Sequence, residues 1–340
     1  MKIAVDKNSY QVAKDDGNSY IYLYEDETLE DLMKTKLHCI EYTECEGVDI
    51  NTTDFNIDCK KKCKVTDKDW DVLPDKVNFK IGIIVPNCNY EHTLEKCLKS
   101  ILNQTYTNYE IIFVDDMSTD NSLKTAQALL KPPHKIIPLK QKRLNGGARN
   151  EAYLYLSNDV DYVYYIDSDD WLYSDKSLEE INDKLQSMPD VLFVGLAESK
   201  NGITKVCDIP EYKDKYEAIA GWSGSCGKVI KKSLATKQEC LYNEGTLKED
   251  KNQHCKVCIN MKSFALLKKP IYVWNKDNSK SVTTIRKQNV LWETSTIRHW
   301  ADTLELYLTY KGKDEKLDKF LESRLKMVKD EVLSGGDKQW

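Results

Sequence analysis

Apolar runs and amphipathic stretches take turns along the chain from about residue 79 to residue 167. The segment "KVNFKIGIIVP" ends in a run of Ile and Val, which predicts a buried strand at about 79–85. "EHTLEKCLKSILNQ" puts apolar residues at 94, 98, 101 and 102, the spacing of a helix with one buried face. "YEIIFVD" predicts a second strand, "STDNSLKTAQALL" a helix capped near Ser118 or Asp120, and "KIIPL" a third strand. "GGARNEAYLYLS" opens another helix, and "DYVYYID" is a fourth strand. Such alternation predicts an α/β fold with a mostly parallel central sheet flanked by helices.

The pattern changes on both sides of this unit. Residues 1–75 are rich in Asp, Lys, Thr and Asn, with short β-like runs such as "YIYLY", and predict a small N-terminal appendage. The α/β domain is expected over 76–285, and 286–340 reads as a C-terminal helical region. That division suits 340 residues, which exceed the usual size of a single core. No stretch approaches the roughly 20 apolar residues of a membrane span, and no signal-peptide core opens the chain. A net charge of −5 gives no general footprint for nucleic acid. Eleven irregularly spaced cysteines fit reduced thiols and a cytoplasmic location. Cys39, Cys45, Cys59 and Cys63, with His38 nearby, could in principle clasp zinc, but their spacing matches no standard zinc pattern. Cys255 and Cys258 form a C-x-x-C that reads as two buried thiols on a helix.

Two strand ends carry acids. "IIFVDDMSTD" delivers Asp115 and Asp116, and "YYIDSDDWLY" delivers Asp167, Asp169 and Asp170. Turn and helix-cap chemistry accounts for either one alone, since Asp and Ser are favoured in both. In an open α/β sheet, however, ligands bind outside the carboxyl ends of the strands. Carboxylates crowd there at a cost unless a positive partner joins them. Two acid-bearing ends with a glycine-rich element between them point to a ligand site.

These residues also carry a resemblance. "IGIIVPNCNYEHTLEKCLKSILNQTYTNYEIIFVDDMSTDNS" resembles the opening of the family 2 glycosyltransferases, which have a Rossmann-like GT-A fold. "NGGARNEAYLYLSNDVDYVYYIDSDDWL" resembles their next segment, ending in the D-x-D motif. The likeness is close over 79–185 and looser over 186–285. It implies a nucleotide-sugar donor, most simply a UDP-sugar, and a Mn²⁺ or Mg²⁺ ion. The ion would neutralise the departing diphosphate as a Lewis acid. Asp169 would be its main ligand, with Asp167 facing the ribose or the ion's water shell and Asp170 supporting the turn.

By the same resemblance Asp116, beside Asp115, would meet the donor base, and Pro86 and Asn89 would shape that pocket's floor. Cys88 stands where the family usually has an aromatic residue, and Tyr90 is a neighbour that could replace it. Arg149 and Ser168 join the nucleotide-sugar set, and Gly146 and Gly147 would let backbone approach the donor. "GTLKEDKNQH" supplies the family's E-D pair, with Asp250 as general base and Glu249 supporting it. Trp222, in "GWSGSCGKVIKKSL", lies on the implied acceptor side. Near Asn275, where the family often has a basic residue, Lys276 or Lys280 could contact phosphate.

The reading that follows is a metal-dependent, inverting glycosyltransferase acting on a hydroxyl of a saccharide or lipid-linked glycan, cytoplasmic or peripheral at a membrane. Transfer to a modified nucleic-acid base or a protein side chain is the alternative within the class, though charge does not indicate nucleic acid. A non-catalytic nucleotide-sugar-binding module is the rival from another class. A pure binder has no use for the E-D pair.

Overall fold

The computed structural model describes residues 76–207, 211–221, 223–279, 281 and 290–333, and three strands upstream. His38, Cys39 and Cys45 of the possible zinc grouping therefore lie outside the described residues, as do Trp222 and Lys280. The chain divides into two compact units, residues 1–77 with 186–188, and residues 78–185 with 189–340. In the first, β1 (Ala13–Asp15), β2 (Asn18–Tyr24) and β3 (Cys59–Val65) form an antiparallel sheet, with a register shift at Leu23/Tyr24.

The second unit opens with β4 (Ile81–Asn87), α1 (Glu91–Leu102), β5 (Tyr109–Asp115), α2 (Ser122–Leu129) and β6 (Lys135–Pro138). Then come α3 (Leu144–Tyr153), β7 (Tyr162–Tyr165), β8 (Trp171–Leu172), α4 (Ser177–Leu185), β9 (Val191–Lys200) and β10 (Ile203–Val206). The remainder is α5 (Lys215–Ala220), β11 (Lys228–Lys231), α6 (Glu249–Asn260), β12 (Phe264–Asn275), α7 (Val290–Tyr310) and α8 (Glu315–Leu333). Among the described residues nine strands share one sheet, ordered β6-β5-β4-β7-β11-β9-β12-β8, with β10 paired to β9. From β6 to β7 the pairing is parallel, as the strand–helix alternation predicts. Beyond β7 the sheet is mixed: β11 runs antiparallel to β7 and β9, and β12 runs parallel to β9 but antiparallel to β8. The regular alternation of strands with crossover helices stops after α4, so later strands can return antiparallel.

Every residue of β4 and β5 is buried, which is why both read as unbroken apolar runs rather than alternating ones. Their registration places Asn87 opposite Asp115, and Ile166 donates its N–H to Ile84 O at 3.0 Å. The carboxyl ends of β4, β5 and β7 therefore share one edge, where all the D-bearing loops emerge. At another edge of the unit, α7 and α8 pack together and brace α6. Ser295 Oγ accepts from Leu247 N at 2.9 Å, Thr303 Oγ1 donates to Asn252 Oδ1 at 3.3 Å, and Lys248 pairs with Glu331. Those contacts secure the helix that begins at Glu249 and Asp250.

Candidate active site

The first two strand ends form a self-clasped floor. Asn87 Nδ2 donates to Asp115 Oδ1 at 3.1 Å and to Ser118 Oγ at 3.0 Å. Asn89 adopts a left-handed φ of 61°, a conformation Asn tolerates better than most residues. Its Oδ1 accepts from Thr119 N at 2.7 Å, tying the β4 loop to the β5 loop. Ser168 Oγ donates to the Pro86 carbonyl, so the D-x-D turn is fastened to this floor.

Asp116 has a local task that the sequence pattern did not reveal. Its Oδ1 accepts from Arg143 N at 2.7 Å and its Oδ2 from Leu144 N at 2.9 Å. The carboxylate thus caps the N-terminus of α3, where unpaired N–H groups favour negative charge. Lys142 Nζ lies 3.5 Å from the same Oδ2. Cys88 is half-buried beside Lys142 Nζ, which also donates to the Asp116 carbonyl at 2.8 Å. The Tyr90 phenol is pushed up by burial and then by Asp169, Asp167 and Asp170.

Arg149 is the pivot of the site. It is 1 % exposed, and Nη2 donates to Asp167 Oδ1 at 2.8 Å. Nη1 donates to Glu249 Oε1 at 2.8 Å and to Asp250 Oδ1 at 3.1 Å. Expected beside the nucleotide, the guanidinium here points at the chain's own carboxylates and joins the D-x-D strand end to the E-D helix. Tyr242 lies under it, 5.1 Å from ring centroid to guanidinium carbon. Gly146 allows this approach of α3 and α6. A Cβ there would fall 2.7 Å from Asn243 O and 3.2 Å from Glu249 Cβ. A Cβ on Gly147 would meet Arg143 Cβ at 2.6 Å. Both glycines accommodate protein atoms.

One positive charge faces three carboxylates, so the site holds a proton most readily where desolvation is greatest. Burial pushes Glu249 up to about 8, with Asp250 adding to the rise and Arg149 opposing it. Its side chain is only 4 % exposed, whereas that of Asp250 is 37 % exposed. Asp250 is thus the member of the pair that solvent can reach. Ser225 Oγ donates to the same Asp250 oxygen that Arg149 holds.

The D-x-D acids divide similarly. Asp170 is 4 % exposed, and its oxygens accept from Asn275 N at 2.8 Å and from the Tyr272 hydroxyl. Burial, then Asp169 and Asp167, hold this carboxyl well above the usual range. It supports the turn. Asp169 Oδ2 accepts from Asn278 Nδ2 at 2.8 Å, and burial followed by Asp167 pushes its carboxyl up to about 6. Asp167 is 32 % exposed. Asp167 and Asp169 are neighbouring hard oxygen donors, a donor set that suits Mg²⁺ or Mn²⁺. Among the described residues no three His, Cys, Asp or Glu side chains converge as a cage. Lys276 does not point here. Its Nζ lies 3.2 Å from Glu198 Oε1 and over the Trp274 ring.

Known proteins resemble this chain over the same region. The model for Glycosyl transferase family 2 matches residues 82–271, more than half of the chain. The chain belongs to that family. The chain is 41 % identical over 100 residues to Glycosyltransferase GlyA of Streptococcus pneumoniae, an alignment covering 29 % of this chain and 14 % of GlyA. It is 33 % identical over 96 residues to the Escherichia coli UDP-Glc:alpha-D-GlcNAc-diphosphoundecaprenol beta-1,3-glucosyltransferase WfgD, covering 28 % of this chain and 37 % of WfgD. The aligned stretch is thus well under half of either relative. Among solved structures, S. aureus TarS in complex with UDP-GlcNAc superposes with a TM-score of 0.55 at 18 % identity, over 76 % of this chain and 72 % of that one. The chain has the GT-A fold.

Ser225, Tyr242 and Asn278 entered the site only with the structure. Ser225 sits in the stretch expected to line the acceptor side, but nothing in its neighbours marks it out from Ser223.

Proposed function

We propose that this chain transfers a sugar from a UDP-sugar to a hydroxyl of a lipid-linked or polysaccharide acceptor, with inversion and with Mn²⁺ or Mg²⁺. The observation that carries the reading is the bridge made by Arg149, which brings Asp167 and Asp250 to one guanidinium. A donor-side acid and a partly exposed candidate base are thereby held by the same side chain. Asp169 and Asp167 would hold the ion, which when bound supplies Lewis-acid neutralisation of the diphosphate. Asp115, Asp116, Pro86, Cys88 and Asn89 would frame the base, and Gly147 and Ser168 would line the path to the D-x-D turn.

Asp250 takes the proton from the acceptor hydroxyl as that oxygen bonds to the anomeric carbon. The bond from that carbon to the diphosphate oxygen breaks, and its electron pair leaves with the nucleoside diphosphate. Attack from the face opposite the leaving group inverts the centre. Protonated Glu249 lowers the charge beside Asp250, and Arg149 fixes its direction. WfgD is named for a UDP-Glc donor and a GlcNAc-diphosphoundecaprenol acceptor, which supports an acceptor of that class and work at a membrane surface. No described helix is long and apolar enough to cross a membrane.

The test screens UDP-glucose, UDP-galactose and UDP-GlcNAc with Mn²⁺ against GlcNAc-diphosphoundecaprenol and poly(ribitol phosphate). Transfer by the wild type, a loss of about 10²–10⁴-fold in Asp250→Asn, and unchanged UDP affinity in that variant are expected. Full transfer by Asp250→Asn would remove it as the base.

A further inference from the structure

The direction of the Asp250 carboxylate is set by a chain of hydroxyls. Tyr242 OH donates to Ser225 Oγ at 2.8 Å, and Ser225 Oγ donates onward to Asp250 Oδ1. Ser225 is 2 % exposed and Tyr242 is 3 % exposed, so neither hydroxyl exchanges its partner for bulk water. A serine hydroxyl can turn among several positions. With the Tyr242 proton occupying one lone pair of Oγ, the serine's own proton is left for Asp250.

The surrounding protein holds both members in place. Ser225 begins a single helical turn, Ser225–Gly227, that leads into β11. Just before it, fully buried Lys228 Nζ donates to Ser223 O at 3.0 Å and to Gly224 O at 2.7 Å, which fixes the loop backbone. The Tyr242 ring packs edge-on against Tyr165 at 5.7 Å and lies under Arg149.

We infer that Ser225 is a positioning residue for transfer, with Tyr242 behind it, and that Asp250 Oδ2 is the oxygen that receives the acceptor's proton. Oδ1 is already engaged by Ser225 and by Arg149 Nη1, and Oδ2 has no partner among the described residues. With two donors on Oδ1 and the side chain 37 % exposed, Oδ2 is the oxygen left to accept from a substrate hydroxyl. The inference rests on Asp250 acting as the base.

The experiment measures kcat, acceptor KM and UDP affinity for Ser225→Ala, Ser225→Thr, Tyr242→Phe and Asp250→Asn. The assay pair is UDP-glucose with GlcNAc-diphosphoundecaprenol, or the pair that the wild type turns over in the screen above. Ser225→Ala should lower kcat about ten- to a hundredfold, the size expected for one hydrogen bond to a charged group. Its UDP affinity should stay that of the wild type, and Ser225→Thr, which keeps the hydroxyl, should restore most of the rate. Tyr242→Phe keeps the ring packing and should show a smaller loss in kcat, so it reads the chain even where Ser225→Ala folds poorly. Wild-type kcat in Ser225→Ala and Tyr242→Phe, alongside an inactive Asp250→Asn, would overturn the positioning role while leaving the base intact. Full activity in Asp250→Asn would overturn both.

Discussion

Arg149 donates to Asp167 from one guanidinium nitrogen at 2.8 Å, while its other terminal nitrogen serves Glu249 and Asp250. A single side chain therefore ties the end of β7 to the start of α6. Because the guanidinium is planar and forked, it can serve carboxylates on two sides at once.

Arg149→Ala should cost about 3–5 kcal/mol of folding stability, since it leaves three carboxylates crowded around a buried void. Arg149→Lys should recover only part of this, because one ammonium cannot span the same partners. Urea midpoints of the three proteins check it. A midpoint shift within error for the alanine variant would show that Arg149 does not hold the site together.

The D-x-D acids should make cation-dependent donor binding sensitive to acid. Asp169, raised to about 6, must be ionised to hold the ion. Below pH 6 the Mn²⁺-dependent affinity for UDP should fall by about tenfold per pH unit as protons compete. Asp169→Asn should abolish the Mn²⁺ dependence, as should chelation of the wild type. Calorimetric titration at pH 5, 6 and 7 decides it, and equal affinity at pH 5 and 7 would exclude Asp169 as a ligand.

Glu249 supplies a stability signature of its own. Its carboxyl is raised from 4.5 to about 8, so between those values the folded chain retains a proton that the unfolded chain has lost. Rising pH then favours unfolding across that window, and the penalty levels off above 8. Glu249→Gln removes the titrating group. Its stability relative to the wild type should therefore improve steadily from pH 5 to 8. Denaturation midpoints of both proteins across that range give the answer. A stability of the variant relative to the wild type that stays constant or falls as pH rises would mean that Glu249 is ionised in the folded state.

Local pattern by itself determined the α/β core. β5 was readable to the residue, and β4, α1 and α2 to within a few, because continuous apolar runs and one-faced helices are written in consecutive residues. The acids at the strand ends were legible for the same reason: Asp116 and Asp167 directly follow apolar strands. Their partners were not. Arg149 meets Glu249 and Asp250 across a large gap in sequence, and no periodicity encodes which side chain an arginine will reach once α3 packs on α6. The antiparallel half of the sheet escaped for a like reason, since the direction of β11 depends on the path of its connections. Ser225 and Tyr242 became part of the site only when β11 and the approach to α6 were folded beside each other. Residue types placed the charges along the chain, and tertiary packing chose their counterparts, because burial and distance decide which charges interact.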